Sequence, residues 1–422
     1  PLVMLAVVMG LYRFMFTYSE RPVEWVEAIF AWLGRLASAH LPAGMLRSLV
    51  VSGVIDGVGG VLSFVPLILL MFFGIALLED SGYLARVAYM LDRVFRIFGL
   101  HGNSVMAFIV AGGIAGGCAV PGVMAARTLR SPRERLATLL TVPFMNCGAK
   151  LPVFAVLIAA FFAEARETVM LTITLISWAG ALLAAKLLRS TVIRGPATPF
   201  VMELPPYRVP TLRGLLIHTW ERTWQYIKKA GTVILAIAIV LWAMMTFPAL
   251  SDSHYERFER ERAVIPASAS TERAGELEAV GRAEAEAALR YSVAGRIGGA
   301  LERVTRWAGF DWRTNIALLG GFGAKEVVVS TLGTAYSLGE VDPAESGGLA
   351  ERLAANPEWN RAVAWSLIIF TIFYAPCSVT VVCIVREAGS WKWGAFSVLF
   401  NTAVAFALAV LVYQAGVALG AG

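Results

Sequence analysis

Twice along this chain a membrane-length apolar segment is interrupted by glycine, proline, cysteine or charge, and the interruptions come in matching order. In the first half Ala111-Gly-Gly-Ile-Ala-Gly116-Gly117-Cys118-Ala-Val-Pro121 is followed by Pro143-Phe-Met145-Asn-Cys147-Gly-Ala-Lys150-Leu-Pro152. In the second half Leu319-Gly-Gly-Phe-Gly-Ala-Lys325-Glu326-Val-Val-Val329 is followed by Tyr374-Ala-Pro376-Cys377-Ser-Val-Thr380. A helix broken inside lipid leaves N–H and C=O groups without partners, so a break persists only where it lines a cavity or is buried in protein. Corresponding breaks in two halves point to a transport site near the bilayer midplane.

The bulk numbers agree with a membrane setting. Of 422 residues 58% are hydrophobic and 16% charged, against about 45–50% and 25% in soluble domains. Runs long enough to cross about 30 Å of hydrocarbon are Val61 to Leu78, Leu136 to Phe162, Val169 to Leu188, Gly231 to Leu250, Val363 to Val385 and Phe396 to Leu419. Pro1 to Tyr18 is a further run; it lacks an initiator Met, a basic leader and a small-residue cleavage site, and so reads as a cut end and not a signal peptide. The net charge of +6 does not indicate nucleic acid, because the basic residues sit in short loops between spans, where they set orientation. Arg127, Arg130, Arg133 and Arg135 fill one loop, and Arg189, Arg194, Arg208, Arg213, Arg222, Lys228 and Lys229 another; both are placed in the cytoplasm. Leu338 to Pro357, with Glu340, Asp342, Glu345 and Glu351 against Arg352 alone, is placed outside.

These signals predict an all-α polytopic membrane protein of two inverted repeats with broken or re-entrant helices. Residues 1–60 hold a first span and an interfacial amphipathic helix from Pro22 to Leu41, with Trp25, Ile29, Phe30, Trp32 and Leu33 against Glu24, Glu27 and Arg35. Residues 61–250 form the first repeat with its flanking spans, 251–295 a polar extramembrane linker whose charges read as a solvated face, and 296–422 the second repeat and terminal span. Glu79 to Phe98 and Leu212 to Lys229 read as surface helices from their apolar spacing. Setting Gly112-Gly113 on Gly320-Gly321 puts Cys118 opposite Glu326, and Pro143 to Cys147 then sets on Pro376-Cys377. Each copy is introduced by a glycine after an amphipathic helix, at Gly99 and Gly309. The opposite charge signs of the flanking loops make the repeat an inverted one.

Cysteine is scarce and lies within or at the ends of apolar segments, which argues against a disulfide scaffold. Cys383, flanked by Val381, Val382, Ile384 and Val385, reads as a small hydrophobe. Cys118, Cys147 and Cys377 stand beside helix breakers, and Glu326 would cost at least about 2.5 kcal/mol to bury at depth. Thiolates with one harder oxygen suit Fe, Zn or Cu better than Mg or Ca, so these four residues are the candidate metal ligands. Gly116, Gly117, Pro121, Met145, Lys325 and Pro376 are the candidate pathway or gating residues. For Glu326 a salt bridge with Lys325 is the structural alternative. His40, His101, His218 and His254 show no metal spacing, no P-loop is present, and no catalytic triad or HExxH pattern occurs. The chain therefore reads as a transport module and not an enzyme, with no permanently bound cofactor. A transporter of a nucleoside or another small solute, with the cysteines as packing residues, is the alternative function.

Leu78-Glu-Asp-Ser-Gly-Tyr83, Gly99-Leu-His-Gly102, Cys118-x-Val-Pro-x-x-Met-Ala-x-Arg-Thr-Leu129, Pro143-Phe-Met-x-Cys-Gly-Ala-x-Leu-Pro152, Gly309-Phe-Asp-Trp312, Ala324-Lys-Glu-Val-Val-Val-Ser-Thr-Leu-Gly-Thr334 and Gly389-Ser-Trp-Lys-Trp393 together resemble the membrane region of the ferrous iron transport protein B family. The resemblance implies two Gate repeats, a bacterial or archaeal cytoplasmic (inner) membrane, Fe(II) as substrate, and family motif cysteines at Cys118, Cys147 and Cys377 with the Lys-Glu motif at Lys325 and Glu326. It also implies a cytoplasmic GTPase domain or subunit as partner, and admits a small SH3-like accessory protein. Two departures stand out. Ala119 replaces the asparagine common after the first cysteine, and the usual N-terminal GTPase and helical regulatory domain is missing; either the chain is cut before Pro1 or the GTPase is a separate polypeptide.

Overall fold

The computed structural model of the chain describes residues 2–42, 44–63, 65–113, 117–195, 206–250, 252–264, 271–325, 327–336 and 347–420. Every regular element among them is helical, and one isolated bridge pairs Gly117 with Cys147. Among the described residues three helices are long and apolar enough to cross a membrane: Ala163–Ser190, Arg361–Ala388 and Trp391–Ala418. Val65–Asp80 with Ala85–Ile97, bent by 88°, makes a fourth if the pair is one span. Shorter apolar helices run over Gly148–Phe161 and Leu235–Thr246. The chain is an all-α polytopic membrane protein.

It divides into two compact units that do not follow the halves of the sequence. One comprises Pro1–Leu151, Glu167–Ala236 and Phe370–Ala405; the other comprises Pro152–Arg166, Ile237–Ile369 and Phe406–Gly422. The three cysteine-bearing breaks fall in the first unit, and the Lys325 break in the second.

In the first unit, the expected first span and interfacial helix are one helix, Leu2–His40, with Pro22 inside it. A proline removes a single intrahelical donor, which does not end this helix. It packs against Asp56–Ser63 and Val65–Asp80. Further along, Phe95, Phe108 and Trp178 form an aromatic cluster, with Phe108 stacked on Trp178 at 6.0 Å and Phe95 edge-on to both rings. Phe144 lies edge-on to Phe373 at 5.2 Å and stacks on Phe400 at 6.5 Å, setting the second break against two later helices.

In the second unit, Leu289, Ala294, Trp312, Ile316 and Ala335 form a buried cluster with Met244 and Met245 packed on it. The polar insert is helical over Asp252–Val264 and Thr271–Tyr291, and residues 265–270 lie outside the described set. Its charges are not all a solvated face: Glu284 pairs with Arg262, and Glu286 pairs with Arg313 of the following repeat. Asp311 caps the Trp312–Gly323 helix by accepting from the Thr314 N–H at 2.8 Å. Trp312–Gly323 packs against Val327–Ala335 across a short turn, so the third apolar segment folds back on itself as a helical hairpin.

Candidate functional site

The three motif cysteines share one local geometry. Each stands just before a helix: Cys118 before Ala119–Ala125, Cys147 before the 3-10 turn Gly148–Lys150 that continues into Leu151–Phe161, and Cys377 before Ser378–Ala388. Each backbone is extended there, with ψ of 134°, 158° and 152°. The N-terminus of a helix carries unpaired N–H groups and the positive end of its dipole, so an electron-rich sulfur is set at each positive end. Cys118, Cys147 and Cys377 are part-exposed, while Cys383 is buried within its helix. The prolines mark starts of helices more than breaks within them. Pro121 lies in the first turn after Cys118, where its missing N–H costs no hydrogen bond, and Pro376 ends the extended link into Cys377.

The first two breaks are built against each other. The Ser104–Phe108 helix widens at Ile109–Gly113, where Gly112 takes φ 121°. A Cβ at Gly112 would overlap the Asn146 carbonyl oxygen, and one at Gly117 would overlap the Gly112 nitrogen. The Gly148 N–H donates to the Gly117 carbonyl at 2.8 Å, and the Cys118 N–H donates to the Val110 carbonyl at 3.1 Å. Cys118 and Cys147 are thereby held on adjacent backbone. Asn146, next to Cys147, is buried, and neither amide atom of its side chain has a hydrogen-bond partner. The helix that starts at Cys377 packs against the one that starts at Cys118, and the Cys377 sulfur lies 3.1 Å from the Thr380 hydroxyl.

Lys150, which sequence reasoning passed over, is a buried charge of this unit. Its side chain is 2% exposed, and Nζ donates to the carbonyls of Pro143 at 3.1 Å, Met145 at 3.0 Å and Ile372 at 2.8 Å. An ammonium has three donors, and all three are used. The available signal was the one that singled out Glu326: an ionisable residue inside an apolar run.

At the far ends of the Cys118 and Cys377 helices, Glu387 accepts from Arg127 Nε at 2.7 Å and pairs also with Arg135, which donates to the Glu387 backbone carbonyl as well. Arg127, just past the Cys118 helix, thus joins it to the Cys377 helix, and Arg135 joins the Pro132–Thr141 helix to the same carboxylate.

In the second unit Lys325 is buried in the turn of the hairpin, and its carbonyl accepts from the Val328 N–H at 3.3 Å. Glu326 and Gly116 lie outside the described residues. Among the described residues no group of three or more His, Cys, Asp or Glu side chains stands ready to hold a metal ion.

Comparison with known proteins places the chain. The Gate family, described as "Nucleoside recognition", matches residues 61–161 and 227–391, and "Ferrous iron transport protein B C terminus" matches residues 170–222. The chain is 37% identical over 415 residues to the Fe(2+) transport protein A/Fe(2+) transporter FeoB fusion protein of Porphyromonas gingivalis, covering 95% of this chain and 48% of that protein. It is 38% identical over 374 residues to the Fe(2+) transporter FeoB of Helicobacter pylori strain J99, covering 88% of this chain and 57% of the relative. It is 34% identical over 402 residues to that of Campylobacter jejuni, covering 95% of this chain and 60% of the relative. The chain therefore spans about half of the first of these relatives (48%) and somewhat more of the other two (57% and 60%). No solved structure matches it significantly. With the Gate match covering more than half of its residues and the ferrous iron transport match falling in the interval between the two Gate stretches, this chain belongs to the ferrous iron transport protein B family, as its C-terminal membrane part.

Proposed function

We propose that this chain carries Fe(II) into the cytoplasm along a pathway lined by Cys118, Cys147 and Cys377, gated by a GTPase domain or subunit, in a bacterial cytoplasmic membrane. The observation that carries the reading is the repeated geometry of the three thiols: part-exposed, each ahead of a helix, and all in one compact unit. Thiolate sulfur is the soft donor that favours Fe(II) over Mg(II) or Ca(II). The buried Asn146 amide beside Cys147 adds a harder oxygen within the same motif, where Ala119 removes one after Cys118. Glu326 is the carboxylate of this pathway, and the two halves of the sequence are inverted repeats. Gly117 and Pro121 set the Cys118 turn, Met145 and Pro376 lie in the extended links to the other two cysteines, and Gly116 and Lys325 belong to the gate. The relatives' printed names, Fe(2+) transporter, support Fe(II) as cargo, and the fusion to Fe(2+) transport protein A in one of them supports a small accessory partner.

The test is thiol protection and flux with the full-length protein in vesicles. Fe(II) should slow alkylation of Cys118 and Cys377 and appear inside the vesicles; protection by a nucleoside and not by Fe(II) would replace this reading with the nucleoside one. Single cysteines placed at Arg130 and Glu345 should react with an impermeant reagent from opposite faces, and reaction of both from one face would remove the inverted repeat.

A further inference from the structure

We propose that Lys150 is the positioning residue of this pathway: its ammonium is a tethered cation in a cage of three main-chain carbonyls, and it locks the break that presents Cys147 to the break that presents Cys377. The carbonyls come from two helix ends. Pro143 and Met145 lie in and after the 3-10 turn Val142–Phe144 that ends the Pro132–Thr141 helix, and Ile372 lies in the last turn of Arg361–Phe373. The last carbonyls of a helix have no intrahelical partner and carry the negative end of its dipole. Two such ends meeting in an apolar interior are costly without a donor, and a buried ammonium is equally costly without acceptors. Each cost is offset by the other here. A neutral methylene chain of the same length would fill the volume and remove the charged donor from all three carbonyls, leaving Met145 only the Cys147 N–H at 3.1 Å, whereas the ammonium donates to each of them with all of its protons. Rings of main-chain carbonyls are also what replaces the hydration shell of potassium-sized cations in selective channels, so the cage suits an ammonium or alkylammonium group.

The functional consequence rests on the reading of Cys147 and Cys377 as pathway residues; the cage does not. Cys147 is bound into the same turn, its carbonyl accepting from the Lys150 N–H at 3.0 Å, and Cys377 follows the Ile372 helix end after a short extended link. Moving Nζ would release one helix end from the other and alter the spacing of the two sulfurs.

The experiment uses the full-length protein in vesicles, as wild type, Lys150→Ala, Lys150→Met and Lys150→Arg. Lys150→Ala should lower the melting temperature, and n-propylammonium or n-butylammonium should restore most of the loss. Tetramethylammonium, which carries the charge without an N–H, should not. Lys150→Met should lower maximal Fe(II) flux by about tenfold or more with KM within about twofold, the split expected of misplaced groups and not of lost ground-state binding, and Lys150→Arg should recover part of the flux. Lys150→Met equal to wild type in stability and flux overturns the proposal, as does an equal response of Lys150→Ala to n-propylammonium and tetramethylammonium. Where Lys150→Ala cannot be extracted folded, the other two variants decide: Arg above Met in stability and flux supports the cage, and Met equal to or above Arg overturns it. Thermal rescue reads the cage without the thiols. Rescue alongside full uptake by a Cys118→Ser, Cys377→Ser variant would keep the cage and remove the thiol pathway; no rescue alongside loss of uptake in that variant would do the reverse.

Discussion

The two glycine-rich copies begin alike and then part. Gly99 and Gly309 both end a helical stretch in the left-handed region, at φ 76° and 80°, and the next N–H reaches back in each case, Leu100 to the Phe95 carbonyl at 3.0 Å and Phe310 to the Thr305 carbonyl at 3.2 Å. Beyond that shared turn, Gly112 sits at a break with φ 121°, while Gly320 and Gly321 lie inside the regular helix Trp312–Gly323. The glycine pair is the same and its surroundings are not. Gly112 lies against the backbone of Asn146, whereas a Cβ on Gly320 would meet only side chains, the Thr331 hydroxyl at 3.2 Å and a Val327 methyl at 3.4 Å. Glycine permits either conformation; a second broken segment pressed against the first selects the break.

The sharpest way to break this comparison is to add the same methyl group to both. Gly112→Ala would impose a left-handed φ on a residue with a side chain, at about 1–3 kcal/mol, and drive its Cβ into main-chain atoms that cannot rotate away. It should abolish folded yield and uptake. Gly320→Ala should gain roughly 0.8–1.0 kcal/mol of helix propensity, partly offset by displacement of Thr331, and stay within about 1 kcal/mol of wild-type stability, with little change in melting temperature. Equal losses in the two variants would mean that glycine itself, and not its neighbour, makes the break.

That contrast also explains how much was legible beforehand. Composition and apolar run length reveal the all-α membrane class and several spans, because burial in lipid acts on every residue of a run. The order of glycine, proline and cysteine locates the breaks, and Gly99 and Gly309 stand where positive φ is required. Sequence patterns could not reveal that Gly320-Gly321 would stay helical, since the deciding contact is tertiary. Lys150 carries the signal that singles out Glu326, an ionisable residue inside an apolar run; what the sequence could not supply is its acceptor Ile372, far away in the chain. Pro22 was overread as a boundary between two helices, where the chain continues as one. The charges of the insert were read as a solvated face, and only the fold brings Glu286 to Arg313.

A second comparison sets the three helix-start cysteines against the buried one. Cys118→Ser and Cys377→Ser should each lower Fe(II) uptake by about tenfold or more, since a hydroxyl keeps the volume and loses the soft donor. Cys383→Ser, inside its helix, should leave uptake near wild type. Uptake unchanged in a Cys118→Ser, Cys377→Ser double variant would erase the distinction among the four thiols. A smaller effect is expected where the two cysteine helices are joined at their far ends. Glu387 is 7% exposed in its side chain and Arg127 is 56% exposed, so part of the Arg127 contact is screened by solvent. Glu387→Gln should cost about 2 kcal/mol of stability, read as a lower melting temperature, and Arg127→Gln should cost less. Equal costs would show that Arg135 contributes little to holding Glu387.

The smallest expected effect tests whether one polar network of the second unit is structural, in contrast to the cysteine-bearing breaks of the first. Trp359 Nε1 donates to the Tyr336 hydroxyl at 2.6 Å, and that hydroxyl lies 3.4 Å from an Asp311 carboxylate oxygen. Asp311 also caps the first arm of the hairpin, so the chain of contacts ties the end of the second arm to the start of the first. Tyr336→Phe keeps the ring and its packing, and removes one acceptor from a buried indole. The expected cost is about 1 kcal/mol, as for a single neutral hydrogen bond, read as a small fall in melting temperature with Fe(II) uptake unchanged. The Asp311 cap survives the substitution, because it uses the other carboxylate oxygen to accept from the Thr314 N–H. Wild-type stability combined with a marked loss of uptake would reverse the assignment, making this network part of the moving machinery and not a structural tie between the arms of the hairpin.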